Sequence, residues 1–370
     1  MHLHVAVLNG TAYEMGFAMG KMFKEAIHLF MEALEVFFID GAFAWEHDIA
    51  KWMEDWEGLS NKEKVEMGLN MERFATEHYT PQRFFDELKG IADASGVDYD
   101  KLLKFNLFPE MTRAICSIVG IWGNASESGN VFQLRALDYL AEAPFNNLAV
   151  AVIYHPTEEG SQHFVNYGWP GMIGTLAAYN GQVGIGERAW NSGDDSHSSP
   201  FGQPWMFVLR DAMQFGTNLE DTIDFLYNAN RTYDIRVGVG SKSDNSFRAM
   251  QYRHTDIALF TDQNYSTPFS DKHPQMDGVF YWYKGGPDEC MGDTIKENYG
   301  KLTPETIYRE VAPLGKTGDT IMAVYDFAND DVYIAMAQNF LPAYNNPVFY
   351  MNMTEWWTVT TDEFQERIEI

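Results

Sequence analysis

One cysteine, one arginine and one aspartate stand close enough in the sequence to form a nucleophilic site. Cys116 begins the segment CSIVGIWGNASESGNVFQLRALD, which predicts a strand, a polar turn and a second strand carrying Arg135 and Asp138. A cysteine attacks as the thiolate, and a nearby cation favours that form. The hairpin could therefore supply a nucleophile and its electrostatic partners. The alternative is a buried structural cysteine beside an ordinary ion pair of two strand residues.

The spacing of Arg135 and Asp138 imposes a condition on the second strand. Side chains alternate between the two faces of a strand, so residues three apart point to opposite faces. For both residues to serve one site, the strand must bulge or end near Leu137.

The elements that must position this hairpin divide the chain into a mainly helical first part and a strand-rich remainder. Helical spacing of apolar residues predicts a helix over 12–38, and Ser60 with Glu63 forms a capping box for a helix to about residue 76. Thr80 as cap and Gly96 as terminator predict a further helix, and a short one follows over 98–106. After residue 115, period-2 patterns predict strands at 116–122, 131–139, 147–154, 162–168, 175–188, 234–240, 246–253, 256–261, 277–283, 319–326 and 331–338, with helices near 201–216, 219–229 and 304–311.

This arrangement of elements favours an α+β fold. Antiparallel strands with segregated helices are typical of sheets covered by helix layers. The segment Gly16-x-x-x-Gly20 predicts close helix packing, and the charged residues Lys21, Lys24 and Glu25 argue against a membrane span. The residues before Gly10 predict a first strand rather than a signal peptide, because they have no basic region and only a short apolar run.

The amino-acid composition of the chain restricts the kinds of molecule that it can bind. The chain has 53 acidic against 26 basic residues and a formal net charge of −27, so we predict that it binds no nucleic acid. No apolar run approaches the ~18 residues of a membrane span, so we expect no integral membrane association. Five N-glycosylation sequons weakly favour a lysosomal or secreted protein whose signal peptide was trimmed, at Asn9, Asn124, Asn230, Asn264 and Asn352. A cytoplasmic location is the alternative.

The sequence predicts no metal and no cofactor. Two cysteines, Cys116 and Cys290, form no disulfide framework, and a bridge between them would consume the candidate nucleophile. No Cys/His set has zinc-site spacing, and His2-x-His4 and the Asp-Asp-Ser-His run at 194–197 are weak metal candidates.

Several motifs in shared order resemble a known group of enzymes. Cys116-Ser117-Ile118 and Arg135-x-x-Asp138 resemble motifs of the N-terminal nucleophile cysteine hydrolases of the choloylglycine hydrolase, acid ceramidase and isopenicillin N acyltransferase type. Six further segments resemble the same group: 10–16, 87–96, 106–110, 169–174, 180–184 and 261–265. The likeness is strongest to the acyltransferase-like branch. The turn Arg135-Ala-Leu-Asp138 lacks the asparagine that the family often has there.

The resemblance implies an αββα sandwich of two antiparallel sheets and a self-processing precursor. Cys116 would cleave the Ile115–Cys116 bond, leaving a mainly helical pro-segment, 1–115, and a catalytic part, 116–370, as one compact unit and an α/β heterodimer. The new α-amine, with a pKa of about 7.7–8.0, would be the base. No histidine partner is then needed.

Site roles follow from the same resemblance. Arg135 would stabilise the thiolate and orient the acyl group, Asp138 would bind the α-amine, and Asn180 and Asn264 would donate to the oxyanion. Asn180 has an alternative role, because Asn-Gly is a strong hairpin-turn signal. An apolar acyl pocket is expected; its candidate lining and substrate-binding residues are Trp122, Tyr139, Tyr167, Trp169 and Arg231.

The predicted activity is hydrolysis or transfer of an acyl group from a small-molecule N-acyl amide through a Cys116 thioester. Water would give hydrolysis and an amine would give acyl transfer. Two alternatives stay open: a phospholipase B-like ester hydrolase with the same nucleophile, and a catalytically silent relative that keeps the fold for binding.

Overall fold

The computed structural model describes residues 2–39, 58–111, 115–189, 195–265, 269–271, 273–284 and 289–359. Their strands form two sheets. The first sheet has the order β1-β4-β5-β6-β7-β8-β9-β10, with bounds His4–Gly10, Val150–Pro156, Phe164–Gly168, Ala177–Tyr179, Val183–Ala189, Ile235–Ser241, Ser246–Tyr252 and Ile257–Phe260. The second sheet has the order β11-β2-β3-β12-β13-β14, with bounds Val279–Trp282, Ile115–Ile121, Phe132–Asp138, Ile321–Asp326, Asp331–Met336 and Phe349–Asn352.

Strand pairing is antiparallel except at one edge of the first sheet. There β1 lies parallel to β4, with His4 opposite Val150. The N-terminal segment therefore contributes an edge strand to the first sheet as well as helices.

Helices cover the outer face of each sheet. Among the described residues, seven helices lie with the first sheet: α1 to α7, at Ala12–Met22, Lys24–Ile39, Asn61–Thr76, Gln82–Ser95, Tyr99–Met111, Trp205–Phe215 and Leu219–Asn228. The second sheet is covered by α8, Glu289–Glu297, and by the consecutive segments Pro304–Thr306, Ile307–Val311 and Ala312–Leu314, of which the middle one is a π-helix. The layers are therefore α, β, β and α, and the predicted fold class is confirmed.

Glycines let the two sheets approach closely. A Cβ at Gly120 on β2 would lie 2.2 Å from the Phe247 ring, and a Cβ at Gly186 on β7 would lie 2.7 Å from Cδ of Arg135. Real Cβ atoms do not approach other atoms so closely, so both positions exclude larger residues. The gap at Gly186 is what admits the Arg135 side chain into the first sheet.

Glycines also determine the packing of α1 against α4. A Cβ at Gly16 would lie 2.0 Å from the Glu87 carbonyl oxygen, and one at Gly90 would lie 2.2 Å from that of Tyr13. The close packing predicted from Gly16-x-x-x-Gly20 is present.

Several element boundaries differ from those predicted. The helix expected over 12–38 is interrupted at Phe23, and the strand expected over 175–188 is two strands joined at Gly181, whose φ is +82°. Pro81, rather than Thr80, stands at the N-cap of α4, because the Thr80 hydroxyl donates to the Thr76 carbonyl instead. Strand β14 and helix α8 were not predicted. The capping box at Ser60 and the left-handed Gly96 that ends α4 are confirmed.

Within the described ranges, no helix is long and apolar enough to cross a membrane. The two cysteines are free, with Cys116 buried and Cys290 exposed. Among these same residues, no three His, Cys, Asp or Glu side chains come together as metal ligands. The weak metal candidate at 194–197 begins outside the described residues.

Candidate active site

Cys116 lies at the second position of β2 and is completely buried between the sheets. Its thiol is within 3.9 Å of Oε1 of Glu187, at the end of β7. Burial raises the pKa of the Cys116 thiol to about 12, although the Arg135 charge acts in the opposite direction. Burial at this position therefore favours the thiol over the thiolate.

Arg135 reaches this thiol from the neighbouring strand. Arg135 lies on β3, opposite Ile118 of β2, and its side chain extends over Gly186 into the first sheet. Its Nε donates to the Leu176 carbonyl at 2.9 Å. Its Nη2 donates to Glu187 Oε1 at 2.5 Å. Its Nη1 is buried and has no hydrogen-bond partner among the described residues, so one buried donor is left for another acceptor.

The Arg135–Glu187 pair keeps a positive charge beside the sulfur. Burial raises the pKa of Glu187, and the arginine charge opposes that rise. Burial alone would lower the pKa of Arg135, but Cys116 and Glu187 raise it above its usual value. The guanidinium thus stays charged although its side chain is fully buried.

Asp138 approaches residue 116 from the other face of the second sheet. It is the last residue of β3 and stands opposite Ile115, with a regular register and no bulge. The strand therefore ends here, as the spacing required. The two side chains do not meet: Arg135 flanks the thiol, and Asp138 lies beside the peptide unit that precedes it.

A dense set of donors holds the Asp138 carboxylate. Its Oδ1 accepts from Lys284 Nζ at 2.9 Å and from the Gly318 N–H at 3.0 Å. Its Oδ2 accepts from the Thr317 hydroxyl at 2.5 Å, which in turn lies 2.6 Å from Ser117 Oγ. Burial raises the pKa of Asp138, and the hydrogen bond from Thr317 and the charge of Lys284 oppose this rise. The site is built to keep a buried carboxylate next to a cation.

An apolar pocket opens beside Glu187. It encloses about 580 Å³ that protein atoms do not fill, part of it open to solvent. Its lining includes two predicted residues, Tyr139 and Trp169, and the ring of Trp169 stacks on that of Phe30. The complete lining is Phe30, Leu34, Phe108, Pro109, Leu137, Tyr139, Trp169, Met172, Leu176, Glu187, Ala189 and Trp205. Four of these residues precede residue 115, so the N-terminal segment forms part of the pocket.

Asn180 is not brought together with Cys116. It lies in the turn between β6 and β7, at the opposite end of β7 from Glu187. Both hydrogens of its amide are donated, to the carbonyls of Met213 and Gly216, each at 2.9 Å. Its Oδ1 accepts from the N–H groups of Gln182 and Val183. This geometry favours the alternative role of a turn residue.

The other predicted residues have contact partners other than Cys116. Asn264 is exposed, and its Oδ1 accepts from the Thr261 N–H in a tight turn. Trp122 follows the far end of β2, and Arg231 donates to backbone carbonyls that include Arg253 O at 2.6 Å. Tyr167 is buried, with its hydroxyl 3.9 Å from Met351 Sδ.

Comparison with known proteins identifies relatives in Dictyostelium discoideum. Protein dcd1B is 32% identical over 379 residues, which cover 94% of this chain and 73% of that protein. Protein dcd1A is 30% identical over 355 residues, covering 90% of this chain and 78% of that protein. The chain belongs to the dcd1 family. No family model matches it.

Solved structures similar to this dcd1-family chain share little sequence with it. The Caenorhabditis elegans ortholog of N-acylethanolamine-hydrolyzing acid amidase is 13% identical with a TM-score of 0.43, covering 57% of this chain and 92% of that one. A mutant of the conjugated bile acid hydrolase of Clostridium perfringens is 8% identical with a TM-score of 0.41, covering 65% and 93%. Penicillin V acylase of Agrobacterium tumefaciens is 9% identical with a TM-score of 0.40, covering 65% and 87%.

The sequence interpretation missed three charged residues that the dcd1-family fold places at the site. Glu187 and Arg188 lie just before the last residue of the buried strand β7, and Lys284 lies two residues after the end of β11. Arg188 Nε donates to the Cys116 carbonyl oxygen at 2.9 Å. Consecutive opposite charges at the end of an otherwise apolar strand were the available signal, since buried charges occur mainly in pairs or at functional sites.

Proposed function

We propose that this protein is a self-processing enzyme that uses the thiol of an N-terminal Cys116 to hydrolyse or transfer an acyl group from a small-molecule amide. One observation carries the proposal: at one end of the sandwich, a buried thiol lies between a charged arginine, a buried carboxylate and an apolar pocket. Each group corresponds to a need of acyl transfer, namely a nucleophile, its electrostatic partners and a place for the acyl chain.

Self-processing would convert the inactive thiol into a nucleophile. With a pKa of about 12 in the uncut chain, the thiol needs both a base and a nearby positive charge. Cleavage of the Ile115–Cys116 bond frees an α-amine, with a pKa of about 7.7–8.0, on the same residue. Asp138 lies opposite this bond and already holds the Lys284 ammonium, so its carboxylate is suited to a second ammonium.

The proposed reaction has two steps. In the first, the Cys116 sulfur attacks the amide carbonyl carbon, the C–N bond breaks, and the thiol proton passes through the α-amine to the leaving nitrogen. In the second, water or an acceptor amine attacks the thioester and restores the thiol. The free Nη1 donor of Arg135 is available to the carbonyl oxygen or the thiolate. The oxyanion role of Asn180 and Asn264 requires new side-chain positions and stays a prediction.

The N-terminal segment is proposed to stay bound after cleavage as one chain of a heterodimer. It supplies β1 to the first sheet and one wall of the apolar pocket, including Phe30 and Phe108. Loss of this segment would expose the pocket and leave β4 as an open sheet edge. A cleaved enzyme should therefore elute as a single species containing both fragments.

Acyl-enzyme trapping tests the proposal. Purified protein is mixed with N-lauroyl p-nitroanilide, and p-nitroaniline release and the masses of the protein fragments are followed. We expect a burst of product and one lauroyl group on the fragment that begins at Cys116. The exposed Cys290 provides a matched control: Cys290→Ala should retain the burst and Cys116→Ala should lose it. A burst that survives Cys116→Ala refutes the proposal. A parallel assay with p-nitrophenyl laurate tests the ester-cleaving alternative.

A further inference from the structure

Lys284 is held against the strand that carries the nucleophile. It lies two residues after the end of β11, the strand that pairs with β2. Its backbone N–H donates to the Ser117 hydroxyl at 3.1 Å. Its carbonyl oxygen accepts from Arg188 Nη2 at 2.9 Å, and Nε of the same arginine donates to the Cys116 carbonyl oxygen at 2.9 Å. The backbone of Lys284 is therefore tied both to Cys116 and to the residue that follows it.

The side chain of Lys284 reaches the Asp138 carboxylate. Its Nζ donates to Asp138 Oδ1 at 2.9 Å and also to the Lys316 carbonyl. Asp138 stands directly opposite Ile115, and residues paired in this way have Cα atoms about 4.5–5.5 Å apart. The nitrogen of Cys116 is bonded to the carbonyl carbon of Ile115. After cleavage, the new α-amine would therefore lie beside both a carboxylate and an ammonium.

A carboxylate alone would be a poor neighbour for an amine that acts as a base. An opposite charge within about 4–6 Å favours the charged form of a group and changes its pKa by about 1 to 3. Beside Asp138 alone, an α-amine with a usual pKa of about 7.7–8.0 would keep its proton at neutral pH. A protonated amine cannot accept the thiol proton of Cys116. The proposed reaction therefore needs a charge that offsets Asp138.

Lys284 supplies this offset within a set of four donors. The Asp138 carboxylate accepts from Lys284 Nζ, from the Thr317 hydroxyl and from the N–H groups of Gly318 and Asp319. Burial alone would lower the pKa of Lys284, but the charge and hydrogen bond of Asp138 raise it above its usual value. The ammonium therefore stays charged throughout the neutral pH range.

The other charges near the nucleophile have partners of their own. Glu187 is paired with Arg135. Asp319 adds a negative charge, but its Oδ1 accepts from the Tyr139 N–H and from the Thr320 hydroxyl, each at 2.8 Å. The remaining charged or titratable residues beside these groups are Arg188, Tyr283, Lys316 and Tyr344.

We propose that Lys284 is a positioning residue that shares the Asp138 carboxylate with the new α-amine, so that the amine of the mature enzyme is a free base at neutral pH. This inference rests on the function proposed above and concerns the base of that reaction. Lys284 neither gives nor takes a proton. The amine accepts the thiol proton of Cys116 and passes it to the leaving nitrogen, and Asp138 stabilises the ammonium that forms between these two transfers.

The pH profile of the wild-type enzyme tests this inference without any substitution. We would measure kcat/KM for N-lauroyl p-nitroanilide from about pH 5 to about pH 10 on the cleaved enzyme, with active sites counted by the burst. The profile rises where the α-amine of the free enzyme loses its proton. With Lys284 sharing Asp138, we expect this rise to be centred at or below about pH 8, the usual value of an α-amine. A rise centred at higher pH would show an ammonium held by the carboxylate and would overturn the inference.

Two substitutions separate the charge of Lys284 from its packing. Lys284→Met removes the charge, so the rise should move to higher pH by about 1 or more, and kcat/KM on its acid side should fall about tenfold or more. Activity should return above the displaced rise, which the loss of a merely structural contact would not produce. Lys284→Arg keeps the charge and should keep the wild-type profile. Lys242→Met is the matched control, because Lys242 is exposed and follows β8 at the end where Ser241 pairs with Val183.

The outcomes distinguish this inference from the proposed function. With a burst in the wild type, the inference alone is overturned by a rise that stays in place in Lys284→Met, or by one that moves as far in Lys284→Arg or Lys242→Met. If Lys284→Met does not cleave itself, the wild-type profile decides. No burst in the wild type overturns the proposed function, and this inference with it.

Discussion

Gly186→Ala tests whether the position of Arg135 controls the nucleophile. The added Cβ would lie 2.7 Å from Arg135 Cδ and 3.1 Å from its Cβ. Ordinary contact begins at 3.4 Å, so Cδ must move by about 0.7 Å. Arg135 is fully buried and hydrogen-bonded to both Leu176 and Glu187, so moving its Cδ strains these two bonds.

The expected effect has two parts. Overpacking a filled core costs about 1–3 kcal/mol of stability. Displacing the guanidinium weakens its bond to Glu187 and its field at the sulfur, and a lost charged hydrogen bond is worth about 1.5–3 kcal/mol. If that loss falls on the transition state, kcat/KM per folded molecule decreases by about 10- to 100-fold.

Gly184→Ala is the matched control for the stability part. It lies two residues away on the same face of β7, and the three atoms nearest to its Cβ would belong to Tyr325, at 2.7 Å, and Phe327, at 3.0 Å, rather than to Arg135. Urea denaturation should show similar losses of unfolding free energy for both variants, whereas kcat/KM for N-lauroyl p-nitroanilide should decrease only in Gly186→Ala. Equal losses of activity in the two variants, or full activity in Gly186→Ala, would refute the role given to Arg135.

Three further predictions concern the carboxylate beside the thiol, the turn at Asn180 and the helix contact. Burial raises the pKa of the Glu187 carboxyl in the folded chain above its unfolded value of about 4.3. Between these two pKa values the folded chain keeps a proton that the unfolded chain has lost. The free energy of unfolding therefore decreases as the pH rises through this range, by up to about 1.4 kcal/mol per pH unit. In urea titrations of the uncleaved Cys116→Ala chain from pH 4 to 8, adding Glu187→Gln should remove this slope, and parallel profiles would contradict the assignment. Asn180→Ala should lower the unfolding free energy by about 1–3 kcal/mol and leave kcat within threefold, whereas an oxyanion donor would cost about 10²–10³ in kcat. Gly90→Ala should lower the free energy of unfolding by about 3 kcal/mol or more, because its Cβ would lie 2.2 Å from a backbone oxygen of α1. The control Gly168→Ala has open space at its Cβ and should lower this free energy by less than about 1 kcal/mol, as measured by thermal unfolding.

The sequence contained enough information to place the hairpin that carries Cys116. The period-2 patterns on both sides of the polar turn predict the two strands, and of the two options that the spacing of Arg135 and Asp138 left open, a bulge or a strand end, the structure has the strand end, with Asp138 opposite Ile115. The local hydrophobic pattern was sufficient to predict this pairing, because these residues belong to neighbouring strands joined by a short turn.

Long-range pairings could not be predicted in the same way. Glu187, Lys284 and Thr317 reach the site from strands or loops that follow residue 138 by 49 to 179 positions. Nothing in their local sequence states which other strand they meet. Asn180 shows a different limit: its place in a motif predicts a chemical role, but the motif does not reveal that its amide is hydrogen-bonded to the carbonyls of Met213 and Gly216 and to the backbone of its own turn.

The most direct test of the central claim is the N-terminal sequence of the mature protein. Purified protein is run on a denaturing gel, and each fragment is sequenced from its amino end. We expect fragments of 115 and 255 residues, the larger beginning Cys-Ser-Ile-Val, and a single intact chain for Cys116→Ala. Cleavage of Cys116→Ala at the same bond, or an intact wild-type chain that still turns over N-lauroyl p-nitroanilide, would contradict it.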